Sequence, residues 1–152
     1  EDDTILTSDW IKSHLLLHEK CRIKNIADIL KKYVPRDVFL SLKDNFVIVC
    51  RNPTSSATVL RADNLKGMNV IIVSKDLTNP ASPPVGFPKE YIALTLMHEL
   101  AHIKLDHYPP TNDDMESAAY ATAIVWFNET QSKSMTVADL YKLKKENDGR
   151  WL

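Results

Sequence analysis

Thr95-Leu-Met-His-Glu-Leu-Ala-His-Ile-Lys104 carries two histidines four residues apart, with an acid directly after the first. On an α-helix, residues four apart project from the same face one turn above each other, so His98 and His102 can reach one metal ion. Glu99 then stands beside that ion, where it can take a proton from a metal-held water. This His-Glu-x-x-His spacing predicts a zinc-dependent hydrolase. The alternative is a pair of core histidines bonded to neighbouring groups.

The flanking residues favour the first reading. From Pro88 onward, Ile92, Ala93, Leu94, Leu96, Met97, Leu100, Ala101, Ile103 and Leu105 spread apolar side chains around most of a helix circumference, which predicts a helix inside a core. Its one polar stripe is Tyr91, Thr95, His98 and His102, with Glu99 at the side. Buried polar groups must be satisfied, and a metal with its water would satisfy these. Pro88 suits the first helical position, where a missing N–H does no harm.

A tetrahedral zinc needs a third protein ligand and an open position for water. Asp106 is excluded because it lies about 12 Å along a straight helix from His98. His107 faces another side unless the helix breaks just before it. Glu116 is the better candidate. It opens a second apolar helix, from about Met115 to Glu129, after the turn-like Pro109-Pro-Thr-Asn-Asp-Asp114. Glu116, Ala119, Tyr120, Ala123 and Phe127 share a face of that helix, and the alanines permit close packing on the first. The competing role for Glu116 is a capping box with Asp113.

The 152 residues suit one domain with a real core, and 44% apolar with 26% charged residues is ordinary for a globular protein. A net charge of −1, with basic and acidic residues interspersed, gives no drive toward nucleic acid or an anionic membrane. No apolar run approaches the roughly 18 to 20 residues that span a bilayer. The amino-terminal Glu1-Asp-Asp-Thr4 is acidic where a signal peptide is basic, although the missing initiator Met allows for a removed targeting segment. Cys21 and Cys50 lack metal-ligand spacing and fit reduced cysteines of a cytosolic protein; a single bridge between them is the alternative.

The expected fold class is α+β: a single helical domain with a sheet of about three strands packed on the active-site helix, zincin-like. Residues 1–35 hold two helices, the first from Ser8 with Trp10, Ile11, Leu15, Leu16 and Leu17, the second with Ile26, Ile29 and Leu30, ended by Pro35. Phe46 to Cys50, Thr58 to Arg61 and Asn69 to Ser74 read as strands between turns such as Asn52-Pro53-Thr54 and Lys66-Gly67. Asn79-Pro-Ala-Ser-Pro-Pro-Val-Gly86 is irregular and suited to rim a cleft. Residues 88–145 are helical, with a last helix from about Val137 to Lys145 capped by Thr136. Its Lys142-Leu-Lys-Lys-Glu146 run reads as a solvated face. His14 and His18, with Glu19, repeat the four-residue spacing, but no acid lies between them, and a solvated or interfacial face is expected there.

Helices, small sheet, His98-Glu-Leu-Ala-His102-Ile-Lys-Leu-Asp-His107 and Glu116-Ser-Ala-Ala119 follow one another in an order that resembles the ImmA/IrrE group of metallopeptidases. The likeness runs from about Asn25 to Phe127. It implies one Zn2+ per chain held by His98, His102 and Glu116, a gluzincin-like set, with Glu99 as general base. It also implies cleavage of a protein substrate in the cytoplasm, typically a phage-type or stress-response DNA-binding repressor. The chain differs from that group at Ala101, where glycine is frequent, and lacks the Met-Pro that often ends the Glu116 helix. Water attack on a peptide bond also needs a donor for the oxyanion. His107 or Tyr108 is expected to supply it, with Tyr120 and Tyr91 behind them; the tyrosines are otherwise packing residues. Asp106 either orients a histidine or serves the surface. Two further classes fit the motif: a non-catalytic zinc-containing regulatory or interaction domain, and a hydrolase of a non-protein substrate.

Overall fold

A computed structural model of the chain describes residues 7–16, 23–51, 57–61, 68–74, 88–107 and 112–148. It is an α+β structure, mostly helical. In chain order the elements are α1 (Ser8–His14), β1 (Leu15–Leu16), α2 (Ile23–Tyr33), α3 (Arg36–Leu42), β2 (Phe46–Arg51), β3 (Ala57–Arg61), β4 (Asn69–Ser74), α4 (Lys89–Lys104), α5 (Asp113–Gln131) and α6 (Val137–Asp148).

The sheet has the order β1-β2-β4-β3, with β1, β2 and β4 parallel and β3 antiparallel to β4. Three of these strands fall where the β-branched runs predict them. The fourth is a correction: Leu15 and Leu16 belong to no helix but pair in parallel with Ile48 and Val49. Thr7 caps α1 by accepting the Trp10 amide, and the helix stops after His14. Two leucines carry no signal that separates a helical turn from an edge strand, so the pairing was not legible. α3 is a second correction, because Pro35 ends α2 and also stands as N-cap of a new helix. Val38, Phe39 and Leu42 bury one face of it, the i, i+1, i+4 spacing of an amphipathic helix.

In α4, Pro88 takes the N-cap position one residue ahead of the helix. Ile92, Ala93, Leu96, Met97, Leu100 and Ala101 are all essentially inaccessible to solvent, as their wrap-around pattern predicts. The helix packs on α5, α2 and strand β3, while Ile48 on β2 and Ile71 and Val73 on β4 complete the core from the sheet side. α6 closes over α4 and α5. It begins with a capping box in which Thr136 Oγ1 accepts the Asp139 amide and the Asp139 carboxylate accepts the Thr136 amide. No helix among the described residues is long and apolar enough to cross a membrane. The loop 79–86, the turns at 52–54 and 66–67, Cys21, His18, Glu19 and Tyr108 lie outside the described residues.

Candidate metal centre

His98 and His102 leave α4 on the face that meets α5, and Glu116 comes from the first turn of α5. Asn112 caps that helix by accepting the Met115 amide at 2.8 Å. Asp113 is therefore inside the helix and not its cap, which removes the capping box with Glu116. The carboxylate turns to α4 instead. Glu116 Oε1 lies 2.9 Å from His98 Nε2 and 3.3 Å from His102 Nε2, and the two imidazole nitrogens are 3.1 Å apart.

These distances test whether an ion fits. Bonds of about 2.0 to 2.1 Å at tetrahedral angles separate neighbouring ligand atoms by about 3.3 Å, so the three atoms lie close to one face of such a polyhedron. At neutral pH the same three atoms are an acceptor oxygen and two nitrogens with one hydrogen each to share between two positions. Lone pairs crowded in this way are relieved by a proton or a cation. His98, His102 and Glu116 thus form a largely buried group able to hold a metal ion.

The electrostatics agree. Burial, then the neighbouring His102, brings the pKa of His98 down to about 4, and burial likewise lowers that of His102. Both rings are neutral at pH 7, the form a metal requires. Glu99, only 7% exposed, is pushed up to about 8 by burial and by the negative charge of Glu116. Among the described residues no hydrogen-bond partner faces His98 Nδ1, although this atom is buried.

Tyr120, one turn beyond Glu116, stacks on His98 with ring centroids 4.1 Å apart and packs edge-on against Tyr141 of α6. Its aromatic face holds the His98 ring in place. Tyr91 is buried two turns before His98, about 10 Å along the axis, away from the cluster. Thr95 donates its hydroxyl to the Tyr91 carbonyl and so satisfies the middle of the polar stripe within the helix. His107 Nδ1 lies 3.1 Å from His102 Nδ1. Asp106 is exposed and adopts φ 62°, marking the break after α4 on which the return of His107 depends. His14 stacks on Trp10, and its Nδ1 lies near the Trp10 carbonyl and the Ser13 hydroxyl.

Sequence reasoning missed Lys144. Its ammonium stands 5.5 Å from the centroid of Tyr120, and its charge acts on both His98 and Glu99. The signal lay in spacing: Leu140, Leu143 and Asn147 form the inward side of α6, and position 144 falls on that side.

None of the family models, curated proteins or solved structures compared with this chain matches it.

Proposed function

We propose that the protein is a zinc-dependent endopeptidase of the ImmA/IrrE type, with a zincin-like active site, acting in the cytoplasm on a protein such as a DNA-binding repressor. The observation that carries this reading is the convergence of His98 Nε2, His102 Nε2 and Glu116 Oε1 within 3.3 Å of one another, with Glu99 buried alongside. A core built only for stability has no use for two imidazoles and a carboxylate in contact with a second carboxyl buried nearby, because each polar group left short of a partner costs roughly 1 to 3 kcal/mol.

His98, His102 and Glu116 would hold the ion. When bound, Zn2+ supplies Lewis acidity that brings the pKa of a water toward about 7, and positive charge that favours the ionised Glu99. Glu99 accepts the proton of the attacking water and delivers it to the departing amine. Tyr120 keeps the His98 ring in place, and Lys144 adds positive charge that acts on His98 and Glu99.

The test is cleavage by the zinc-loaded chain of a defined peptide library and of any DNA-binding repressor found encoded beside it. Wild type is expected to cut at a discrete bond, and Glu99→Gln to lose roughly 10² to 10⁴ of the rate while keeping its zinc. Unimpaired cleavage by Glu99→Gln removes the proposed base. Zinc retained with no cleavage by either chain leaves a non-catalytic metal domain.

A further inference from the structure

α4 ends in a Schellman turn. The Asp106 amide donates to the Ile103 carbonyl at 3.1 Å, and the His107 amide reaches back to the His102 carbonyl at 2.8 Å. Asp106 takes the left-handed conformation, which costs a residue with a Cβ roughly 1 to 2 kcal/mol and which Asp tolerates better than most. The turn folds His107 back beneath the last turn of the helix. There its ring lies 5.3 Å from that of His102, tilted by 59°, with the two Nδ1 atoms 3.1 Å apart.

Two nitrogens at that distance form a hydrogen bond only if one carries the hydrogen and the other a lone pair. His102 Nε2 is committed to the cluster with His98 and Glu116, where a ligand nitrogen must present its lone pair. The hydrogen of neutral His102 therefore sits on Nδ1, which donates to His107 Nδ1, and His107 carries its own hydrogen on Nε2. Resting on the metal-site reading above, we propose that His107 is a positioning residue that fixes the tautomer and ring orientation of His102 and keeps Nε2 open for the ion. This task is compatible with donation to an oxyanion, since His107 keeps a hydrogen on Nε2.

The two histidine ligands are thus oriented by different means. His98 is set by the flat stack of Tyr120, and His102 by a hydrogen bond from its far nitrogen. Such outer partners raise ligand basicity as well as fixing the ring, and their loss typically weakens metal binding.

The experiment compares zinc affinity, by competition with a chromophoric chelator, among the wild-type chain, His107→Phe and His107→Asn. Phe keeps the bulk without an acceptor, and Asn offers Oδ1 near the place of Nδ1. Affinity is expected to fall about 10- to 100-fold in His107→Phe and to return within about threefold of wild type in His107→Asn. Nitrogen-15 shifts of metal-free His102 are expected to show the Nδ1–H tautomer in wild type and His107→Asn, and a mixture in His107→Phe. If the Phe chain does not fold, His107→Ala takes its place in the same comparison. Equal affinity across the folded variants overturns this inference alone, as does a His107→Asn chain that binds as poorly as His107→Phe. A wild type that takes up no zinc overturns the proposed function and this inference with it.

Discussion

Glu99 is the residue whose surroundings most directly couple chemistry to stability. Its carboxyl, ordinarily near 4.5, is held up to about 8 by burial and by Glu116. The metal-free fold therefore keeps a proton that the unfolded chain has released, and it loses stability as pH rises from 4.5 to about 8. His98 acts oppositely. With a folded pKa of about 4 against 6.5 unfolded, it lacks a proton that the unfolded chain binds, so its contribution is lost as pH falls through that window. The two slopes oppose one another below pH 6.5, and above it Glu99 stands alone among the pair. Denaturant unfolding in the presence of a chelator is expected to show wild type losing up to about 1.4 kcal/mol per pH unit between pH 6.5 and 8. Glu99→Gln should be flat there; equal slopes would mean that Glu99 is not the buried acid. At this scale the sequence was most legible, since the spacing of His98, Glu99 and His102 and the elimination of Asp106 require only helical geometry. His107 was not, because its place depends on a left-handed Asp106, a conformation usually signalled by glycine. Lys144 was hidden because a charge run looks the same whether a helix faces water or covers a site.

Two helices, α4 and α5, bring the cluster together, and their separation decides whether Glu116 reaches the imidazoles. Ala119 and Ala123 are fully buried on the side of α5 that bears Glu116 and Tyr120. Small side chains there let the backbones approach closely. Ala123→Leu is expected to destabilise by roughly 1 to 3 kcal/mol through overpacking, and to weaken zinc binding by moving Glu116 outward. Thermal melts with and without zinc measure both effects. Lost stability with full zinc affinity would show that the carboxylate tolerates the displacement. Both helices were legible from apolar patterning; α5 starts two residues before Met115, where Asn112 caps it, and ends two beyond Glu129, while α6 runs three residues past Lys145 to Asp148. The elements that escaped are short. α3 covers seven residues and β1 two, lengths at which periodicity has almost no repeats to show.

Across the molecule, a mixed sheet and α2 back α4 from behind while α5 and α6 cover its polar face, so a polar stripe is enclosed without being extinguished. The α+β class and the packing of a small sheet against the motif helix follow from the order of β-branched runs and helices. The parallel pairing of β2 with β4, which leaves β3 at the edge, does not, since strand order depends on contacts between residues far apart in sequence. What the assembly achieves is a meeting of side chains from two helices at one point. Equilibrium dialysis against buffered Zn2+ tests that meeting most directly. The account predicts about one zinc per chain, as its ligand set requires, retained in Glu99→Gln and lost in both His98→Ala and Glu116→Ala. A wild type that binds no zinc, or a folded Glu116→Ala chain that binds it undiminished, would contradict it.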